Sequence, residues 1–312
     1  MKSGGSLDQS LPVLALDVGG TKLAGGVLLG NGVLVCRQEK PTQAEEGAEA
    51  VGNRLLELAR QVLVDFAVSY SGSPAPVAVG LASAGYINSE TGSVLFATDN
   101  LPGWTGQPLA TMLRTAFGLP AAVANDGACF ALAEARLGAG QGYRHVLVTT
   151  VGTGVGGGIV IDGELYCGWQ GRAGAIGHLC IEPVNGRACT CGLYGCLESY
   201  TAVRIMVAES GYTSIQELAA HYAAGNEESA VEEAAMWLGR GLASLAHVLG
   251  PEAIIIGGSV GLLGERYLEA VQSSFRRHAM PLHHAIAILP AQLAADSGLV
   301  GAGLLARESA TA

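Results

Sequence analysis

The sequence predicts an α/β protein of two lobes. Three observations lead there. Segments of apolar β-formers alternate with segments of helical periodicity along the chain. A strand, glycine turn, strand, tight turn, strand pattern at residues 13–35 returns at residues 145–166. A chain of 312 residues, 49% hydrophobic and 14% charged, is long and apolar enough to bury two cores.

The elements follow in order. Residues 1–12 read as a loose tail. VLALDVGGTKLAGGVLLGNGVLV, residues 13–35, is three strands punctuated by Gly-Gly and Gly-Asn-Gly turns. Within 44–68, Val51, Leu55, Leu58, Ala59, Val62, Leu63 and Phe66 recur at helical spacing, so this helix packs on the sheet. Residues 77–81 form a buried strand ending in Ser83-Ala84-Gly85. A long loop or short hairpin, 86–107, contains TDNLPGW. A helix over 108–117 precedes a strand at 121–124, with Asn125-Asp126 at its end and a helix over 127–137 beyond. The opening pattern then recurs. At an offset of 132, Leu16 falls on Val148, Gly20 on Gly152, Thr21 on Thr153 and Val27 on Ile159, as expected of two lobes on one plan; with two copies, chance is the competing explanation. Residues 199–248 are largely helical with a break near Gly225-Asn226. A strand at 253–256 opens into Gly257-Gly258-Ser259. A helix (262–278), a last strand (285–289) and a closing helix (297–308) with small residues on one face complete the chain. The expected lobes are 1–124, with the closing helix 297–312 packing back on it, and 125–296.

Composition excludes several functions. The formal charge of −10 argues against non-specific binding to nucleic acid or anionic membranes. No apolar run approaches the ~20 residues of a membrane helix, and the N-terminus lacks an apolar signal core. An odd seven cysteines, four of them in one short stretch, fit a reducing cytoplasm better than a disulfide framework. The expectation is a cytoplasmic protein with no nucleic-acid or membrane partner.

That stretch, GAIGHLCIEPVNGRACTCGLYGCLE (174–198), holds His178, Cys189, Cys191 and Cys196 in the pattern H-x10-C-x-C-x4-C. Three thiolates and one imidazole are a common structural Zn²⁺ set, and four protein ligands leave no open position for catalysis. A loop of merely buried cysteines and a core histidine is the competing reading. The zinc loop spans 177–198. Glu198, two residues beyond the last cysteine, is either a solvated carboxylate or a ligand contact held by the loop.

Three glycine clusters are candidates for phosphate or nucleotide contact. In the first, Asp17, Gly19, Gly20, Thr21 and Lys22 close a hairpin. Glycines admit phosphate oxygens, Thr21 and Lys22 can contact them, and Asp17 can hold a Mg²⁺ shell; an ordinary Gly-Gly hairpin explains the same string. The second contains Gly152, Thr153, Gly154, Gly156, Gly157 and Gly158. It matches G-x-G-x-x-G, but a strand rather than a helix follows, which excludes a Rossmann site. The third, Gly257-Gly258, offers either a flat surface for adenosine or a strand end capped by Ser259. No Walker A string is present. Asp126, at a strand's C-terminus, is either a base orienting a hydroxyl toward a γ-phosphate or, with Asn125, a helix cap.

Taken together, DVGGTK, the Asn-Asp pair, GTGVGGG, AGAIGH, CTCGLYGCLE and IIIGGSVG resemble the ROK family of sugar kinases, from Val13 to Arg307. The resemblance implies an actin-like (ribonuclease H-like) two-lobed fold with an inserted zinc loop. It implies ATP, Mg²⁺ and a sugar in the cleft, and a homodimer. Asp126 matches the family's catalytic base. Gly85, Asn100, Asn125, His178 and Glu198 match its sugar-contacting positions, Asp17–Lys22 and Gly152–Gly158 its phosphate hairpins, and Gly257-Gly258 its adenosine side. Ala175 stands where the family string GEIGH has glutamate, which leaves room near the sugar's C2. The stretches LDVGGTKLA, TGVGGG, IIIGGSVGL and SGLVGAGLLA look most like bacterial N-acetylmannosamine kinases. The implied activity is ATP-dependent phosphorylation of the 6-hydroxyl of N-acetylmannosamine. Glucokinase and N-acetylglucosamine kinase are alternatives, as is a sugar-sensing regulator without catalysis.

Overall fold

A computed structural model describes residues 11–311; the expected tail lies, up to residue 10, outside the described residues. The chain divides into two compact units. The first holds the chain to Ala133, Cys167–Ala173 and the chain from Asp296 onward. The second holds Glu134–Tyr166 and Gly174–Ala295.

The first unit is built on a sheet ordered β3-β2-β1-β4-β7, from β1 (Val13–Val18), β2 (Lys22–Leu28), β3 (Leu34–Pro41), β4 (Val79–Ser83) and β7 (Ala121–Asn125). The β1, β4 and β7 strands are parallel; β2 and β3 are antiparallel additions. The loop expected at 86–107 contains a short hairpin, β5 (Tyr86–Ile87) and β6 (Val94–Phe96). Side-chain alternation sorts the two faces of the sheet. Leu14, Leu16 and Val18 of β1 pack with Leu55, Leu58, Val62 and Phe66 of α1 (Ala48–Ser69) and with Leu109 and Leu113 of α2 (Leu109–Phe117). Each of these fully buried side chains contributes about 1.5–3 kcal/mol.

The other face carries Ala15, Ala24, Ala82 and Ala124, packed with Leu299 and Ala302 of α9 (Ser297–Thr311). Small residues on both sides let that helix approach closely. A Cβ on Gly80 would lie 1.8 Å from the Ala302 carbonyl oxygen, and one on Gly301 would lie 1.8 Å from that of Cys129. This explains the small face in SGLVGAGLLA.

The division falls inside α3 (Asp126–Leu137), between Ala133 and Glu134, rather than after residue 124. Strand β7 is the edge of the first sheet and α3 starts directly from it, so Asn125 and Asp126 go with the first unit.

The second unit repeats the plan, with order β10-β9-β8-β11-β12, from β8 (Val146–Val151), β9 (Val155–Ile161), β10 (Glu164–Leu165), β11 (Ala253–Gly257) and β12 (Ala287–Pro290). Its helices are α4 (Glu198–Thr201), α5 (Val203–Ser210), α6 (Ile215–Ala223), α7 (Ser229–Leu249) and α8 (Gly264–His278). Leu238 and Leu242 of α7, Val271 and Phe275 of α8, and Ile254 of β11 share its core. The 132-residue offset holds for the second strand of each hairpin, where Leu23 answers to Val155. The first strands are one residue out of step, Val18 answering to Val151, because the second turn is one residue shorter.

This topology positions the candidate residues. Val18 is in register with Ser83, and Ser83 with Asn125, so Asp17, Gly85, Asn125 and Asp126 gather at one sheet edge, at the carboxyl ends of the parallel strands. In the second unit Thr150 is in register with Gly257, which brings the β8–β9 turn beside Gly257-Gly258.

Candidate active site and metal centre

In the first unit the β1–β2 turn is stiffened from outside. The Gly19 N–H donates to the Lys22 carbonyl at 3.0 Å. Thr42, fully buried, donates its hydroxyl to the Gly19 carbonyl at 2.7 Å and its N–H to that of Thr21 at 3.0 Å. Arg54 in turn donates to the Thr42 carbonyl. A Cβ on Gly20 would lie 3.4 Å from the Asn100 carbonyl oxygen, so the loop bearing the exposed Asn100 rests on this turn. Lys22 is ion-paired with Glu39 at 2.5 Å, half exposed.

Asn125 and Asp126 sit where β7 becomes α3. The Asn125 side-chain Oδ1 accepts from the Gly127 N–H at 2.9 Å and from that of Ala128 at 3.4 Å, and its Nδ2 donates to the Gly85 carbonyl at 2.8 Å. Asn125 therefore caps the helix and holds Gly85. Gly85 needs its glycine: φ is +94°, and a Cβ would meet the Phe96 carbonyl oxygen at 2.5 Å. With Asn125 serving as cap, the solvent-accessible Asp126 is available for other work, its Oδ1 accepting from Gly127 N–H at 2.8 Å. The mass of protein around it raises the Asp126 carboxyl above the ordinary range, against the pull of the Gly127 N–H and the Asn125 amide. Asp17 is pushed up to about 7, by burial first and then by the Asp126 charge, with Lys22 opposing. A buried carboxyl raised further by a neighbouring carboxylate suits a divalent cation, which would remove the cost of ionising it.

In the second unit the turn itself is Gly152–Gly154, closed by the Gly152 N–H to the Gly154 carbonyl at 2.9 Å. Gly156, Gly157 and Gly158 lie within β9, opposite Thr150, Thr149 and Val148. At Gly157 the reason is packing: a Cβ would lie 2.2 Å from the Val148 carbonyl oxygen. Gly258 has φ +88°, and a Cβ there would lie 2.5 Å from the carbonyl oxygen of Val151.

The loop after β9 gathers His178, Cys189, Cys191 and Cys196, whose ligand atoms all lie within 4.8 Å of one another. Cys191 Sγ and Cys196 Sγ are 3.7 Å apart, as are Cys189 Sγ and His178 Nδ1. A tetrahedron with Zn–S bonds of about 2.3 Å has S···S edges of roughly 3.8 Å. Donor set and spacing thus both fit a structural Zn²⁺. Crowding has its mark on the thiols: Cys196 is pushed up to about 12 by burial and then by the neighbouring Cys191 and Cys189, while Cys191 is lowered, burial raising it but hydrogen bonds with Leu193, Cys189 and Cys196 together outweighing that. Cys180, the fourth cysteine of the stretch, is exposed and outside the cluster.

Glu198 is neither solvated nor idle. Its side chain is buried; Oε2 accepts from the Val155 N–H at 2.9 Å, and Oε1 from the Thr190 hydroxyl at 2.7 Å. Arg204 lies 3.4 Å from Oε1 and donates its Nε to the Thr153 carbonyl at 3.0 Å.

The ROK family model matches residues 13–309. The chain belongs to the ROK family. The glucokinase of Halalkalibacterium halodurans is 33% identical over 317 residues, covering 95% of this chain and 94% of that one. The N-acetylmannosamine kinase of Salmonella typhi is 33% identical over 305 residues, covering 95% and 99%. Among solved structures, a ROK family glucokinase from Streptomyces griseus in complex with glucose and AMPPNP superposes with a TM-score of 0.80 at 32% identity, covering 95% and 99%. The α/β two-sheet sugar kinase fold expected from the sequence is therefore the fold of this ROK protein.

The expected residues divide between the two units. Asp17, Gly19, Gly20, Thr21, Lys22, Gly85, Asn100, Asn125 and Asp126 are in the first unit. Gly152–Gly158, Gly257, Gly258, His178, the three cysteines and Glu198 are in the second. Sequence reading missed Thr42, Thr190 and Arg204. Thr190 has a local signal, lying between two metal-type cysteines. Thr42 and Arg204 act through contacts set by tertiary structure. No helix among the described residues is long and apolar enough to cross a membrane.

Proposed function

We propose that this ROK family member is an ATP-dependent kinase that phosphorylates the 6-hydroxyl of N-acetylmannosamine. The observation that carries the kinase reading is Asp126. It is a solvent-accessible carboxylate at a strand's carboxyl end, relieved of capping by Asn125 and held above the ordinary carboxylate range. Such a group accepts the proton of a hydroxyl as that oxygen attacks the γ-phosphate. The glycine turns Gly19–Thr21 and Gly152–Gly154 supply backbone N–H groups for phosphate oxygens, and Gly257-Gly258 a flat surface for adenosine. Relatives at a third identity are sugar kinases, and the related glucokinase binds AMPPNP, an ATP analogue. Asp17 would hold Mg²⁺, which supplies charge neutralisation on the phosphates. His178 and the three cysteines would hold Zn²⁺, which supplies a cross-link that keeps the loop in one conformation. The reading places Gly85, Asn100, Asn125, His178 and Glu198 around the sugar. It takes the protein as a cytoplasmic homodimer, the dimer being testable by light scattering.

Ala175 supports the choice of substrate. A methyl in place of a carboxylate removes an acceptor for ring hydroxyls and leaves room beside C2 for an N-acyl group. Glucose is the second reading, because the glucokinase and N-acetylmannosamine kinase relatives are equally identical to this chain. A coupled ADP-release assay over glucose, mannose, N-acetylglucosamine and N-acetylmannosamine decides between them. The highest kcat/KM on N-acetylmannosamine supports the proposal, and the highest on glucose overturns its substrate.

A further inference from the structure

We infer that Thr190 and Arg204, through Glu198, clamp the Gly152–Gly154 turn to the cysteine loop, making both of them positioning residues for nucleotide. The inference rests on the kinase reading above and extends it to residues that neither the sequence motifs nor that reading assigned.

The turn makes few bonds of its own; within it, Gly152 N–H to the Gly154 carbonyl at 2.9 Å closes the hairpin. Among the described residues, the hydrogen bonds that reach the turn from outside come from Glu198, Val203 and Arg204. The Val203 N–H donates to the Gly152 carbonyl at 2.8 Å. Arg204 Nε donates to the Thr153 carbonyl at 3.0 Å. Glu198 Oε2 accepts from Val155 N–H at 2.9 Å, directly after the turn. A Cβ on Gly154 would lie 2.8 Å from that same oxygen, so glycine here makes room for the carboxylate. The consecutive carbonyls of Gly152 and Thr153 are thus engaged by donors, which ties up the turn's acceptors and suits its remaining N–H groups to an anionic ligand.

The carboxylate is itself held at Oε1 by Thr190, at 2.7 Å, and by Arg204, at 3.4 Å. Thr190 lies between Cys189 and Cys191, so its position is that of the cysteine cluster. The path from cluster to turn runs Thr190 hydroxyl, Glu198 carboxylate, Val155 N–H, with the Arg204 guanidinium bracing both ends. A buried carboxylate that accepts from three donors is oriented rather than mobile. Loss of one donor lets it swing and lets the turn relax.

The test uses the full-length protein with Arg204→Ala and Thr190→Val. Titration calorimetry reads the Kd of AMPPNP with Mg²⁺, and separately of the best-turned-over sugar; elemental analysis reads zinc per chain; steady-state kinetics gives KM for ATP. The expected result for each variant is a nucleotide Kd and KM for ATP raised roughly tenfold, the size of one lost charge-assisted bond. Zinc content stays at the wild-type value, and sugar Kd, which Glu198 also serves in the reading above, rises less than the nucleotide Kd. A nucleotide Kd within twofold of wild type overturns the clamp while leaving the kinase reading standing. Equal losses of nucleotide, sugar and zinc also overturn it, since they signal general loosening. A wild-type protein that binds sugar and not nucleotide overturns the kinase reading, and the clamp with it.

Discussion

Replacing Asp126 by Asn tests the chemistry with little disturbance to the fold. The Asp126 carboxylate contacts the backbone through Oδ1, which accepts from Gly127 N–H at 2.8 Å, and an amide oxygen keeps that bond. Asn125 still caps α3. Stability should therefore change by no more than about 1 kcal/mol, the worth of one ordinary hydrogen bond. The lost property is basicity. A placed general base contributes about 10²–10⁴ in rate, or roughly 2.7–5.5 kcal/mol of barrier. Coupled ADP-release kinetics should show kcat lowered by at least about 10² with KM for sugar and ATP within a few-fold. The pH profile adds a second reading. Both carboxyls of the Asp17–Asp126 pair are raised, Asp17 to about 7, so the unprotonated base is depleted as pH falls. Wild-type kcat/KM should fall on the acid side with apparent values belonging to the pair, and the variant's residual rate should lose part of that limb. A variant that turns over within threefold of wild type would refute the reasoning.

Other perturbations follow from the same geometry. Because the folded protein holds Asp17 at about 7 against an ordinary 3.8, ionising it is unfavourable in the folded state. The Asp17 contribution to stability is thus fullest below 3.8 and is lost as pH rises through about 7. Asp17→Asn should therefore raise Tm at pH 8 in the absence of nucleotide and Mg²⁺, with a smaller gain at pH 5, while lowering turnover; calorimetry at the two pH values checks it. Cys196→Ser should cut bound zinc from one per chain toward none and lower Tm, read by elemental analysis and thermal unfolding. Gly301→Ala would place a methyl 1.8 Å from the Cys129 carbonyl oxygen and should destabilise by about 1–3 kcal/mol or more, read by urea titration.

Periodicity and glycine punctuation made most of the fold legible. The α1 stripe of Val51, Leu55, Leu58, Ala59, Val62 and Phe66 is the buried face. The two-copy pattern became two sheets of one strand order. Where local pattern gave out, tertiary contact decided. Strand β3 runs on to Pro41 through polar residues because β2 offers it a partner edge; nothing in RQEK marks a buried strand. The run GTGVGGG reads as one loop, yet its last three glycines are strand residues, and packing against Thr150 and Val148 keeps Gly156 and Gly157 small. For Asn125-Asp126 the cap reading holds for Asn125, and the base reading of Asp126 is the proposal that the Asn variant tests. Glu198 was flagged by its distance from the last cysteine, but its hold on the glycine turn depends on a fold that brings residues 43 positions apart into contact. The gathering of His178 and the three cysteines was legible because their spacing is local, and the cluster they form needs no distant partner.

The most direct measurement of the central claim is sugar-dependent phosphoryl transfer by the purified wild-type protein. It should be incubated with ATP, Mg²⁺ and N-acetylmannosamine, with the product read by mass and phosphorus–proton correlation spectra. The account predicts one ADP per sugar phosphorylated and phosphate on the 6-oxygen. ADP formation that no hexose stimulates, or phosphate on another oxygen, would contradict it.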